Sequence, residues 1–179
     1  MNTREALLQD KIYTKAQATA VTNYACSSPE QFKELMQCFT GNDYRIAQRA
    51  AWSVSEAAQR KPELIQPYLE DIVAQLQRTD VHPAVVRNSV RILQSIEIPE
   101  ELHGEVMNAC FIFIEKPPTP VAIKAFALTT LYNLSKHYPD IQHELQVIIE
   151  ERMDNETAAF VSRGKKILRQ LQKCKTPGV

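Results

Sequence analysis

Apolar residues along the chain fall into two kinds of stripe that alternate and repeat. The first kind follows a proline and an acidic residue, at Pro29-Glu30, Pro62-Glu63, Pro99-Glu100 and Pro139-Asp140. Each dipeptide predicts a helix start. Pro suits the first helical turn because its missing N–H would be unpaired there, and the adjacent carboxylate faces the positive end of the helix dipole. Apolar residues then recur at helical spacing: Phe32, Met36 and Phe39; Ile65, Leu69, Ile72 and Leu76; Leu102, Val106, Ala109 and Phe113; Ile141, Leu145, Ile149 and Met153. The second kind is spaced by four, four and three residues: Ile46, Ala50, Val54, Ala57; Val85, Ser89, Leu93, Ile96; Ile123, Ala127, Leu131, Leu134; Phe160, Gly164, Leu168, Leu171. These stripes begin 39, 38 and 37 residues apart. Their second member is always small (Ala50, Ser89, Ala127, Gly164), which lets two helix backbones approach closely where they cross.

Turn-forming residues punctuate the pattern at Gly41-Asn42-Asp43, Asp80-Val81-His82-Pro83, Pro117-Pro118-Thr119-Pro120 and Asp154-Asn155-Glu156. The reading is therefore a row of helix pairs over about 29–61, 62–98, 99–138 and 139–173. An N-terminal capping helix within 1–28 precedes them, fitting the second stripe only partly through Tyr13, Val21 and Tyr24, and a polar tail at 174–179 follows. With 4 Gly and 10 scattered Pro there is no flexible linker, so residues 1–179 are expected to form one domain.

The stretch Tyr44–Leu76 serves as the template, an alanine-rich helix broken at Lys61-Pro62 before a second amphipathic helix. Together with Ala50-Ala51-Trp52-Ser53-Val54-Ser55-Glu56, this arrangement over residues 29–173 resembles the HEAT-repeat (armadillo-like) family of α-solenoids. The resemblance implies an all-α fold, a right-handed α-α superhelix of about four helix pairs plus the N-terminal cap. The family's turn Asp stands at Asp80. Its basic residue just after the start of the second stripe stands only at Lys124, the equivalents being Ala47, Val86 and Val161.

Composition adds little until charge is mapped onto the pattern. A content of 44% hydrophobic and 23% charged residues is ordinary for a soluble globular chain. No apolar run approaches the ~18 residues needed to span a bilayer, so no membrane association is expected. No secretory leader is read at the start, and Cys26, Cys38, Cys110 and Cys174 lack metal-ligand or redox spacing, so they are expected as buried free thiols in a cytoplasmic protein. The net charge of zero conceals a polarised molecule. Segments 29–41, 62–79, 99–116 and 139–155, which carry the first helices, hold 14 acidic and 4 basic residues; the rest holds 7 acidic and 17 basic. Half of that positive excess lies in 156–179.

In such arrays the second helices line the concave side, as the resemblance implies. Turning 100° per residue, the positions opposite each second stripe are Gln48, Trp52, Ser55 and Gln59; Arg87, Arg91 and Gln94; Ala125, Thr129, Tyr132 and Lys136; Ser162, Lys166, Arg169 and Lys173. None is acidic. Gln48, Trp52, Arg87, Arg91, Tyr132, Lys136, Lys166 and Arg169 are the candidate partner-binding residues. Trp52, the only Trp, either packs against a neighbouring repeat or, exposed, acts as a hot spot. The function expected is a non-catalytic scaffold that takes an acidic segment of a partner protein; solvated helix faces absorbed by ion pairs are the bland alternative.

A second alternative is nucleic-acid binding, because tandem helical repeats of this kind also resemble alkylpurine DNA glycosylases. Trp52, Tyr132, Arg87 and Arg91 would fill the binding roles, but no acid stands in the predicted rows and Glu56 lies off them. There is no GxSxG, phosphate loop or HExxH, and His82, His103, His137 and His143 fall singly near helix ends, where solvent or capping roles are expected. No cofactor, metal or catalytic residue is predicted. Self-association through apolar end surfaces stays open.

Overall fold

The computed structural model describes residues 2–175, and side chains through 173. Among them every regular element is helical. The chain divides into two compact units, Met1–Ile98 and Pro99–Val179.

The first unit contains α1 (Thr3–Leu8), α2 (Lys15–Ala25), α3 (Pro29–Thr40), α4 (Tyr44–Arg60), α5 (Pro62–Ile65), α6 (Leu69–Ala74) and α7 (Pro83–Leu93). The single capping helix expected at the N-terminus is two helices. Thr14 starts the second with a capping box, its hydroxyl accepting from Gln17 N while the Gln17 side chain accepts from Thr14 N at 2.8 Å. The carbonyls trailing from α1 are taken up by α4. Arg49 donates to Leu7 O at 2.6 Å and Lys11 O at 2.8 Å, and Arg45 to Lys11 O at 2.9 Å. Two guanidinium groups thus cover the negative end of a short helix.

Ser28 and Asp43 cap α3 and α4 through their side-chain oxygens, and Pro29 occupies the first turn of α3 as expected. The helix expected from Pro62 is not continuous. Pro67 removes an N–H and crowds the carbonyl four residues earlier, so α5 passes through a 3₁₀ turn at Gln66–Tyr68 before α6 resumes. The predicted stripe of Ile65, Leu69, Ile72 and Leu76 is nevertheless buried throughout. So are Phe32, Met36 and Phe39 of α3, and Ile46, Ala50, Val54 and Ala57 of α4.

Helices α2, α4 and α7 lie side by side in the same direction. Ser53 Oγ meets Ala18 O at 3.2 Å, Arg60 reaches Asn23 at 2.7 Å and Lys61 reaches Cys26 O at 2.9 Å, so α2 and α4 advance together. Tyr44 against His82 near the starts of α4 and α7, and Gln59 against Arg91 near their ends, show the same for the second pair.

The second unit contains α8 (Glu100–Glu115), α9 (Val121–Leu134), α10 (Ile141–Arg152) and α11 (Ala158–Lys175). Pro99 is the N-cap of α8, and Pro139 stands two residues before α10, so here the dipeptides announce helices rather than sit in their first turns. Val106, Ala109, Ile123, Ala127, Leu131, Leu134, Leu145, Ile149, Phe160 and Leu171 are buried. Leu168 is half-buried and Ile167 takes the inner place. Gly164 packs so tightly on α10 that a Cβ added there would lie 2.8 Å from Ile149 Cγ2, which accounts for the small residue at the second stripe position. His103 departs from its expected solvent or capping role; it is buried in α8 and shares a 3.0 Å hydrogen bond between Nδ1 and the Tyr138 hydroxyl. Cys110 is buried and unpaired, which pushes its thiol up to about 12, and Cys26 and Cys38 are half-buried and unpaired. The Cys174 side chain and the tail beyond Lys175 lie outside the described residues.

Candidate partner-binding face

Charge segregation follows the helices themselves. The five helices that carry or extend the second-stripe role (α2, α4, α7, α9 and α11) contain one acidic residue, Glu56, against thirteen Lys and Arg. Several of the thirteen are engaged internally: Arg49 is buried against α1 and Arg45 donates to Lys11 O, Arg60 pairs with Glu56 at 2.5 Å, and Lys124 is buried against Glu156. Lys124 answers to the basic position singled out in the sequence, whereas Asp80 pairs with Arg78, two residues away, at 2.7 Å.

In the first unit, Gln48, Trp52 and Gln59 of α4 and Arg87 and Arg91 of α7 reach the surface, as their angular positions require. Ser55 does not. It occupies the same angular row but is fully buried, and its hydroxyl has no hydrogen-bond partner. A side chain that short lies below the level of Trp52 and Gln59, its neighbours one turn away on either side. Trp52 combines the two expected outcomes. One side of the indole meets Tyr13, with ring centroids 6.4 Å apart and planes at 78°, while 37% of the residue stays exposed. Tyr13 is fixed in turn by Ser53 Oγ at 3.3 Å and by the Arg49 guanidinium 5.3 Å from its ring centre. Burial pushes the Tyr13 hydroxyl above its usual range. Gln59, with its amide oxygen turned to α7, accepts from both Nε and Nη2 of Arg91 at 3.2 Å.

The remaining candidates lie in the second unit. Tyr132 is half-buried, and the exposed Lys136 places its ammonium 4.8 Å from the centre of the Tyr132 ring. Lys166 and Arg169 are exposed on α11, as are Ser162 and Lys173. Arg163, which the angular rows passed over, donates to Thr129 of α9 at 2.5 Å. Ala125, expected on the surface row, is buried for the same reason as Ser55. The predicted residues therefore form one group in each unit: Gln48, Trp52, Arg87 and Arg91 in the first, Tyr132, Lys136, Lys166 and Arg169 in the second.

Two contributors lie outside the predicted rows: Tyr13, which the sequence reading places in the N-terminal cap, and Arg49, whereas Gln59 stands in the row of Trp52 and only its partner Arg91 comes from the structure. At the other end of α4, Tyr44 stands exposed with its ring against His82, whose Nδ1 caps α7 by accepting from Ala84 N at 3.0 Å. Burial, and next the nearby Arg87, hold His82 below the usual histidine range, so the neutral capping form is favoured.

Chemically the group in the first unit offers indole, amide and guanidinium, and the group in the second offers phenol, ammonium and guanidinium, all of which bind carboxylates, phosphates or apolar side chains. Glu56 lies on the flank of α4 that faces α2, engaged by Arg60. Among the described residues no group of three or more His, Cys, Asp or Glu is placed to hold a metal ion, and no helix is long and apolar enough to cross a membrane. Comparison with curated proteins and with solved structures finds no match. The model of one family does match, the HEAT repeat domain, over residues 4–171. That span takes in α1 and α2 as well as every later helix, and it agrees with an all-helical chain built of paired helices: the protein belongs to the HEAT repeat family.

Proposed function

We propose that this protein is a non-catalytic, cytoplasmic interaction scaffold whose second-helix face receives an acidic segment of a partner protein. HEAT repeats commonly serve as protein-interaction scaffolds, and the family is generally non-enzymatic. The observation that carries the acidic preference is the segregation of charge: one acid against thirteen bases on the second helices, with Trp52 and Tyr132 interleaved. A surface of one sign selects partners of the other and speeds their encounter. The unpaired thiols Cys26, Cys38 and Cys110 suit a reducing compartment.

Nucleic acid is the second reading, supported by the exposed Lys165, Lys166, Arg169 and Lys173 of α11. A competition separates the two. A poly-glutamate peptide and a single-stranded oligonucleotide of equal charge are titrated against the protein at about 0.15 M salt, where exposed charges are screened beyond roughly 8 Å. The scaffold reading expects the peptide to win, and the substitutions R87A/R91A and K166A/R169A each to weaken it. Preference for the oligonucleotide, with a steep loss of binding on added salt, would transfer the assignment to nucleic acid. Binding of neither would end both.

A further inference from the structure

The first unit carries more than positive charge. Tyr44, Gln48 and Trp52 succeed one another every fourth residue along α4, and beside them α7 presents Arg87 and Arg91, also four apart. Residues so spaced lie about 6 Å apart on a helix surface. The two rows differ in how they are held. Trp52 is backed by Tyr13, Tyr13 by Ser53 and Arg49, and Arg49 by two backbone carbonyls, so the partly exposed indole stands on a braced support. Arg91 is oriented by Gln59, which occupies Nε and Nη2 and leaves Nη1 directed elsewhere. Helix α7 contains no acidic residue to satisfy either guanidinium from its own surface.

Steering an acidic chain requires only cations, for which Lys would serve. An exposed indole braced beside two arginines is costly for that purpose and is instead the composition of a binding hot spot, where Trp and Arg are enriched and Lys is depleted. Resting on the reading that this face takes an acidic segment, we infer that the first unit binds an acidic amphipathic helix whose large apolar side chain packs on Trp52 and whose carboxylates, one turn apart, meet Arg87 and Arg91. The matching spacing on the two sides favours a helix over an extended strand, in which carboxylates on one face stand about 6.6 Å apart but alternate with residues facing away. Pre-orientation of Trp52 and Arg91 lowers the ordering cost of binding.

Because Trp52 is the only Trp, its fluorescence reports on this site alone. Three synthetic helical peptides of about 16 residues, long enough to hold helix in water, are titrated against the full chain. One has Glu residues four apart and a central Phe, the second replaces Phe by Ala, and the third keeps Phe and replaces Glu by Gln. The Phe-Glu peptide is expected to blue-shift the Trp52 emission to saturation and to bind about 30-fold more tightly than the Ala peptide. With binding to the Trp-free variants followed by titration calorimetry, W52A should erase that difference and W52F restore most of it. R87A/R91A should bring the Phe-Glu peptide down to the level of the Gln peptide, and Q59L should weaken it about threefold by releasing Arg91. Equal binding of the Phe and Ala peptides with unchanged emission would overturn the inference while leaving the acidic-segment reading in place. Binding of none of them would overturn both.

Discussion

Lys124 of α9 and Glu156, just before α11, meet at 2.5 Å with side chains only 4% and 7% exposed. The same Glu156 oxygen accepts from Arg152 at 2.9 Å, and Lys124 also donates to Pro117 O at 3.3 Å. One carboxylate thus joins the α8–α9 turn to the end of α10 and the start of α11.

Removing one member of a buried ion pair leaves the other charged and unsolvated. E156A is therefore expected to destabilise the protein by about 3 kcal/mol, whereas K124M/E156L should come within ~1 kcal/mol of wild type because both desolvation costs vanish together. Denaturant unfolding of the two variants checks this; equal destabilisation would mean that the pair itself, not the orphaned charge, supplies the stability.

The same group predicts an acid response. Burial by itself raises the Glu156 carboxyl, but the hydrogen bonds from Lys124 and Arg152 outweigh it and hold the group below its ordinary 4.5. A carboxyl lowered on folding contributes stability that is fully present above 4.5 and is lost as pH falls through the folded value. Thermal unfolding followed from about pH 6 to pH 3 should show Tm falling below 4.5, with a shallower fall in E156Q.

Gly164 and Gly104 make a controlled pair. A Cβ at Gly164 would press on Ile149 Cγ2 at 2.8 Å and Met153 Cε at 3.4 Å, while one at Gly104 meets nothing within 4 Å. G104A should stabilise by about 0.5–1 kcal/mol, the helix-propensity gain. G164A receives the same gain but pays an overpacking cost of about 1–3 kcal/mol and should come out destabilising, and G164V more so. Chemical denaturation of the three variants decides; stabilisation by G164A would show that α10 can move away.

His82 caps α7 only while its Nδ1 can accept from Ala84 N. Burial first, and Arg87 second, lower its pKa from 6.5, so its contribution is present above 6.5 and is lost as pH falls through the lower folded value. H82A should cost about 1 kcal/mol at pH 8. H82N, whose amide oxygen can cap without titrating, should keep its stability at pH 5 better than wild type, as measured by Tm at the two pH values.

Arg49 ties α1 to α4 through Leu7 O and Lys11 O. R49A is expected to cost about 2 kcal/mol, the range for hydrogen bonds from a charged donor. Amide exchange should accelerate in α1 and the start of α2, and an unchanged exchange pattern there would show that apolar packing alone holds the segment.

The spacing of apolar residues was enough to name the buried faces, because helical period alone converts position into angle; Ile46–Ala50–Val54–Ala57 and Ile65–Leu69–Ile72–Leu76 are buried even though Pro67 interrupts the second. Segregation of charge was equally legible, since each helix carries its own composition. Angle does not give depth, however, and so Ser55 and Ala125 were placed on the surface although short side chains sink beneath longer neighbours. Nor does it give partners. Tyr13 with Trp52, Arg49 with Leu7, Lys124 with Glu156 and His103 with Tyr138 join residues 32 to 42 positions apart. Sequence by itself determined which side of each helix faces inward and which sign of charge the second helices carry. Tertiary structure alone decided which polar groups are spent holding neighbouring helices together and which remain at the surface, because that depends on the reach of side chains across a helix–helix contact.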